Sequence, residues 1–351
     1  MKVKEKIIFI APSRSSFIVN DIKILSEKYE VIENIYNWKN KPMTPLLMIQ
    51  QLFFLLRYGF SVDTIMISFG GYWAYFPSMF GAIFQKKVLI IVHGTDCAAF
   101  EEIQYGVLRK PILKKIISAS FKMADMLLPV SESLVNTENT YFKDEPIKLG
   151  YNHHLKNIQT PHTVIPNGIS ISQWNINLDG AREKNSFITV LSPGQLRTKG
   201  INLILDIADK FPQATFYFAG IDNPFNYEVP SNTCFLGRLS QKKLENLYNQ
   251  TEYYLQLSNF EGFGIALCEA MLCGCIPIGS NVNKIPEIIG DTGFILEKRD
   301  PELLITLLGE AMSEKYKREK GEKARKRIMD NFSLESRKQK IFDTIDKLSS
   351  K

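Results

Sequence analysis

The sequence predicts an α/β protein of two doubly wound domains, and three observations predict it. Short apolar runs alternate with helical patterns from end to end, the signature of parallel βαβ units. The series stops at a polar stretch, residues 170–184, with no periodicity and few strand formers, and then restarts. A length of 351 residues suits two cores of ordinary size better than one.

In the first half, residues 6–11, 63–69, 87–92, 126–130 and 163–166 read as strands. The run Ile7-Ile8-Phe9-Ile10-Ala11 follows a basic start but ends at Pro12, far short of a signal-peptide core, so it is a first strand. The second half has strands at 187–192, 215–219, 253–257, 276–279 and 293–296, separated by helices near 201–210, 242–249, 265–273 and 301–312. Residues 333–348 open on Ser333, a fitting N-cap, followed by Glu335, and carry Ile341, Ile345 and Leu348 on one helical face. The expected domains are 1–170, 171–331 and a closing helix over 332–351. Two Rossmann-like domains of this kind direct the carboxyl ends of their strands toward a shared crevice, which predicts a cleft enzyme whose chemistry lies in loops after strands.

Composition narrows the classes. The chain is 45% hydrophobic and 23% charged, and its net charge is +6. The excess lies in residues 1–170, with 19 Lys/Arg against 14 Asp/Glu. That modest surplus suits an anionic membrane surface, a phosphorylated acceptor or plain solvation, and no nucleic acid is expected. No run approaches the length of a membrane span. The five cysteines, without an export signal, fit a reducing cytoplasm. Cys268, Cys273 and Cys275 lack partners at zinc-site spacing and are expected to be buried free thiols.

Residues 258–290 are the most informative stretch. Glu261 and Glu269 bracket Gly262-Phe263-Gly264, a turn that opens a helix at Ile265. The glycines let a ligand approach the backbone, and the helix N-terminus behind them offers unpaired N–H groups to an anion. Carboxylates suit vicinal hydroxyls on either side of a phosphate. An ordinary amphipathic helix with a Glu at each end would read the same way.

After the first strand of the second half comes Ser192-Pro193-Gly194-Gln195-Leu196-Arg197-Thr198-Lys199-Gly200, where Arg197 and Lys199 can neutralise a diphosphate. A cationic pair at a helix N-terminus opposes the macrodipole and makes more sense with an anion between them. In the first half, His93 follows a strand within His93-Gly94-Thr95-Asp96, where a hydrogen bond to a substrate hydroxyl or phosphate is within its chemistry. Asp96 is either a cap or an acid. Gly70-Gly71, at another strand end, allows an acceptor close to the backbone. Ser131 is a helix cap; no Gly-x-Ser-x-Gly elbow surrounds it, which argues against a serine hydrolase. Asp-x-Asp, a common metal–diphosphate anchor of nucleotide-sugar enzymes, is absent.

Together these loops resemble the retaining glycosyltransferases of family 4, which have the GT-B fold. Four stretches carry the resemblance in order: Ala124-Asp125 through Val130-Ser131-Glu132; Val164-Ile165-Pro166-Asn167-Gly168-Ile169; Arg197-Thr198-Lys199-Gly200; and Glu261 through Glu269-Ala270-Met271 to Pro286-Glu287. The resemblance implies a GT-B arrangement of two Rossmann-like domains facing a central cleft, the first for the acceptor and the second for the donor. It implies that Lys199 and Arg197 hold the donor diphosphate, Glu269 the ribose hydroxyls and Glu261 those of the transferred sugar. Phe263, Gly264 and Ile265 would offer backbone N–H groups, and His93 would stand beside the sugar as a catalytic-site residue. The closing helix would pack back on the first domain.

The chain departs from the family pattern at Gln195, where an arginine is usual, at Asn283-Lys284-Ile285 in place of Gly-Gly, and at Pro12-Ser13-Arg14-Ser15-Ser16 in place of a glycine-rich loop. The expected activity is metal-independent transfer of a sugar, with retention, from a UDP- or GDP-linked donor to a glycan or lipid-linked acceptor in cell-surface polysaccharide or glycolipid assembly. No cofactor or metal is expected. Two alternatives are a nucleotide-sugar 2-epimerase on the same architecture, discriminated by independence of an acceptor, and a non-catalytic sugar-nucleotide-binding partner. The expected location is cytoplasmic, peripheral on the inner face of a membrane, because residues 45–56 form an unusually apolar helical stretch flanked by Lys39, Lys41 and Arg57. A buried domain helix accounts for that stretch equally well.

Overall fold

The computed structural model describes residues 4–38, 40–177, 180–225 and 228–350. Lys39 lies outside the described residues. The chain divides into two compact units: residues 1–137, 148–168 and 334–351 form the first, and 138–147 with 169–333 the second.

The first unit runs β1 (Lys6–Ala11), α1 (Ser16–Lys28), β2 (Glu30–Ile35), α2 (Thr44–Tyr58), β3 (Thr64–Ser68), α3 (Tyr72–Phe84), β4 (Lys87–Val92), α4 (Pro111–Met123) and β5 (Met126–Pro129). Short strands β6 (Thr137–Asn139) and β7 (Ile147–Leu149) mark where the chain leaves and re-enters it, and α5 (Tyr151–His154) follows. Its strands pair in parallel in the order β2-β1-β3-β4-β5. β3 is buried along its whole length, as expected of a strand covered on both faces. The order reverses beside β1, so the loops after β1 and β3 flank the switch point where such sheets bind ligands.

The second unit contains β8 (Glu183–Val190), α6 (Ile201–Ala208), β9 (Thr215–Ala219), β10 (Thr233–Phe235), α7 (Gln241–Gln250), β11 (Thr251–Gln256), α8 (Ile265–Leu272), β12 (Ile276–Ser280), α9 (Ile285–Ile289), β13 (Phe294–Leu296), α10 (Pro301–Met312) and α11 (Lys317–Asn331). Its parallel order is β10-β9-β8-β11-β12-β13, with the switch point between β8 and β11. Phe187 on β8 stacks on Phe216 at 5.0 Å and on Tyr253 at 4.9 Å, tying the three central strands through one aromatic layer.

α12 (Leu334–Ser349) returns to the first unit. Arg337 near its start is almost wholly buried and makes a two-pronged bond to Asp21 of α1, at 2.7 and 2.8 Å, while donating to the carbonyls of Ile165 and Pro166. Each nitrogen of the guanidinium donates, which offsets the desolvation of the pair. Residues 163–166, expected as a strand, are instead an extended segment joined to β5 by a single bridge at His162 and by bonds from Thr163 and Ile165. Pro166 has no N–H to extend a ladder, and Arg337 takes the carbonyls. β2, β10 and α11 were not anticipated. The first two are edge strands, and α11 is so polar that only Gly321, Ala324 and Ile328 reach the core.

Candidate functional site

In the second unit, two loops meet beside the switch point: one follows β8 and the other β11. The first begins as a tight turn over Pro193–Gln195, in which the Gln195 side chain accepts from the Ser192 N–H and hydroxyl at 2.9 and 3.0 Å. Gln195, the residue standing where the resemblance expects arginine, therefore caps its own turn. Gly200 closes the loop at φ 66°, with the Leu257 carbonyl 2.1 Å from where a Cβ would stand, so no other residue fits there. Asn259 pins the two loops together: its amide donates to the Arg197 carbonyl at 2.7 Å and its N–H to the Thr198 carbonyl at 2.8 Å.

This bracing delivers Lys199 to Glu261. Their side chains form an ion pair at 2.7 Å, and only 9% and 17% of them respectively is exposed. The same carboxylate oxygen accepts from Gln256 at 2.6 Å and Ser258 at 3.3 Å, and Tyr254 donates to Gln256 at 2.9 Å. Such a pair survives burial because further hydrogen bonds hold the carboxylate. Asn283, with a left-handed φ of 50°, accepts the Glu261 N–H at 3.1 Å. Arg197 is on the same loop but exposed, and its guanidinium has no partner among the described residues.

Beyond Glu261, Gly262, Phe263 and Gly264 are buried, and Gly264 caps α8 at φ 108°. Phe263 anchors the turn by packing edge-on against Phe332 at 5.7 Å. The first N–H groups of α8, starting at Ile265, have no intrahelical acceptor and form an anion-attracting end. Glu269 lies on α8, half-buried, with no hydrogen-bond partner among the described residues. Desolvation raises it from 4.5 to about 8. Both glutamates also raise the buried phenol of Tyr254 and the thiol of Cys268, behind desolvation as the main cause, so the two carboxyl groups share one neighbourhood. Cys268, Cys273 and Cys275 are buried and unpaired. Among the described residues no group of three or more His, Cys, Asp or Glu is placed to hold a metal ion.

The first unit gathers the other expected residues. Asp96 is buried and accepts from three backbone N–H groups: Gly70 at 2.9 Å, Gly94 at 2.9 Å and His93 at 3.1 Å. It is the clasp joining the loops after β3 and β4. Burial raises its carboxyl to about 6 against the lowering effect of those bonds. Gly70 lies against Ile117 and Phe121, both 3.0 Å from an added Cβ, and Gly71 is the N-cap of α3. Phe69, before them, holds a left-handed φ of 65°, a strained conformation of the sort found at functional sites. Its ring lies 4.2 Å from that of His93, and Phe17 lies 4.8 Å away. His93 bonds Ser68 Oγ through Nε2 at 2.9 Å, while Nδ1 has no partner among the described residues. Desolvation, with Arg337 as a second cause, lowers its pKa well below the ordinary value, so the ring is neutral at pH 7. Ser131 caps a short turn by accepting from Ser133 N–H.

The structure thus brings Lys199, Glu261 and residues 262–265 into one cluster with Glu269 on the helix behind, and His93, Asp96, Gly70 and Gly71 into another. Sequence reasoning missed Tyr254, Gln256, Ser258 and Asn259. Tyr254, Gln256 and Ser258 alternate along β11 and its extension, and that period-two polar series within an apolar strand was the available signal.

Residues 177–328 match the family model described as glycosyl transferases group 1. The chain is 26% identical over 272 residues to N-acetyl-alpha-D-glucosaminyl L-malate synthase of Bacillus anthracis, covering 71% of this chain and 65% of that protein. It therefore spans somewhat less than two thirds of that relative's length. Among solved structures it is similar to a sucrose-phosphate synthase from Thermosynechococcus elongatus (TM-score 0.75, 14% identity, 99% of this chain and 100% of that one). A second similar structure is Anabaena HepE in complex with UDP (TM-score 0.74, 13% identity, 97% and 100%). These likenesses show the fold, GT-B.

Proposed function

Residues 177–328 match the glycosyl transferases of group 1, and from that premise we propose that the chain moves a sugar from a nucleoside-diphosphate donor to a hydroxyl acceptor, with retention and without a metal ion. The observation that carries the reading is the Lys199–Glu261 pair at the strand ends flanking the switch point of the second unit. A buried ion pair in such a position is costly for stability and useful for chemistry.

When a donor diphosphate enters, Lys199 has an anion that competes with Glu261. Gln256 and Ser258 remain to satisfy the carboxylate, so Lys199 can turn to the phosphate without leaving Glu261 bare. Glu261 is then free to accept from hydroxyls of the sugar. Arg197, exposed and without a side-chain partner among the described residues, closes on the diphosphate from the same loop, and the first N–H groups of α8 meet it from behind. As the bond to the anomeric carbon breaks, the leaving diphosphate gains negative charge. Arg197, Lys199 and the α8 dipole stabilise that charge, which makes leaving-group stabilisation the main catalytic contribution. Glu269 binds the ribose hydroxyls. In the first unit, neutral His93 offers its free Nδ1 to a hydroxyl, and Gly70 and Gly71 form the acceptor side, held by Asp96. Attack from the same face as departure, assisted by the leaving phosphate, gives retention without a covalent intermediate.

The donor is UDP- or GDP-linked, and the acceptor is a glycan or lipid-linked glycan of cell-surface polysaccharide or glycolipid assembly. HepE, a structure similar to this chain, binds UDP, which supports trying UDP sugars first. The enzyme acts at the inner face of a membrane, bound peripherally. The test is a thermal-shift screen of nucleotide sugars followed by transfer assays with and without chelator, the product's anomeric configuration being read by NMR. Turnover by Lys199→Ala equal to the parent's would sink the assignment. Conversion of the nucleotide sugar alone, at a rate independent of acceptor, would instead favour an epimerase.

A further inference from the structure

Helix α2 is apolar on its outward side as well as its inward one. Its inward side carries Leu55 and Gln51, both fully buried, and Gln51 donates to Asn34 Oδ1 at 3.1 Å and to the Trp73 carbonyl at 3.0 Å. Its outward side carries Leu46, Ile49, Leu52, Phe53 and Leu56, with Ile49 53% and Phe53 67% exposed. A helix that faces water on one side keeps polar side chains there. The apolar surface continues: exposed Phe60 packs edge-on against Phe84 of α3 at 4.9 Å, and Ile83 beside it is also exposed. A contiguous patch of this kind marks an interaction surface.

Its charge identifies the partner. α3 packs on α2 on one side and on α4 on the other. No residue of these three helices is Asp or Glu, whereas α1 and α12, which pack together, carry several. The cations of the layer are Arg57, Lys114, Lys115 and Lys122, all exposed. A cavity of about 500 Å³ beside α4 is lined by its three lysines and by Lys156, with no carboxylate in its wall. A second copy docked on this face across a two-fold axis would bring cations against cations. α2 has 15 residues, too short for a membrane span, which fits a helix lying in an interface.

We propose that the outer surface of the α2–α3–α4 layer docks on an anionic lipid bilayer, with the apolar side chains of α2 entering the acyl boundary and the lysines of α4 meeting phosphate headgroups. This deepens the peripheral attachment proposed above by naming its surface and lipid class. The readout needs neither donor nor acceptor, so its failure would leave the transferase reading standing.

The test is co-sedimentation of the full chain with vesicles of phosphatidylcholine alone or with about one third phosphatidylglycerol, at low and high salt. The expected result is binding to the anionic vesicles that weakens with salt. Ile49→Asp/Phe53→Asp and Lys114→Glu/Lys115→Glu alter only exposed residues, and each should lower the bound-to-free ratio at least about tenfold with melting unchanged. Absence of the parent from anionic vesicles, or undiminished binding by both variants, overturns the proposal. So does a solution dimer that Ile49→Asp/Phe53→Asp dissociates in the absence of vesicle binding.

Discussion

Replacing Glu269 by Gln should make the protein more stable at alkaline pH while weakening its grip on the donor. Glu269 is half-buried without a hydrogen-bond partner among the described residues, and desolvation raises it from 4.5 to about 8. Between those two values the unfolded chain carries the charge and the folded chain carries the proton, so stability falls as pH rises from 4.5 toward 8 and levels off above it. The gap corresponds to about 5 kcal/mol at most, and residual exposure to water reduces it to about 2–3 kcal/mol. Gln has the same shape and never ionises. Glu269→Gln should therefore match the parent near pH 5 and exceed it at pH 8 by about 2–3 kcal/mol, a rise of about 4–12 °C in the melting of a domain of this size. The assay is thermal unfolding of both proteins from pH 5 to pH 9.

Donor affinity supplies the second arm. If ribose hydroxyls bind the ionised carboxylate, affinity for a nucleotide sugar should rise with pH as the raised carboxyl of Glu269 loses its proton, and level off once it is fully ionised. The variant should show no such slope. A Glu269→Gln protein that melts no higher than its parent at pH 8, or a donor affinity flat with pH in the parent, would refute the reasoning.

Lys199→Ala should lower kcat at least about 100-fold with circular dichroism unchanged, because the leaving diphosphate loses its cation while Glu261 keeps Gln256 and Ser258. Arg337→Met should cost about 3–5 kcal/mol in urea unfolding, since it leaves Asp21 buried and unpaired; a loss below about 1 kcal/mol would contradict the packing described. Gly200→Ala forces a Cβ to 2.1 Å from the Leu257 carbonyl, so the variant should melt several degrees lower and bind donor poorly. Melting and donor affinity equal to the parent's would show that the loop can open without consequence.

Much of the site was legible because loops after parallel strands are short and local. Lys199, Glu261, Gly264 and Glu269 stand within one strand-loop-helix passage or its neighbour, and their residue types suit the anion and hydroxyls proposed for this candidate site. The Tyr254, Gln256 and Ser258 series was less visible, since its meaning depends on which side of β11 meets Lys199. Gln195 was read as a missing arginine, whereas its side chain closes the turn with Ser192. The apolar stretch at 45–56 had two readings in sequence, buried or surface, because periodicity gives the spacing of a helical face and not the direction in which it points.

By itself the sequence determined the parallel α/β pattern, the strand-end loops and the residues with which they are equipped, because these follow from period, turn chemistry and residue type over short separations. Only the tertiary structure decided that residues 138–147 belong to the second unit, that Arg337 is spent on Asp21 and the carbonyls of Ile165 and Pro166, and that α2 turns Gln51 inward and Phe53 outward. Those outcomes depend on partners far away in the chain, and burial is a property of the neighbours a residue meets, which its own segment does not encode.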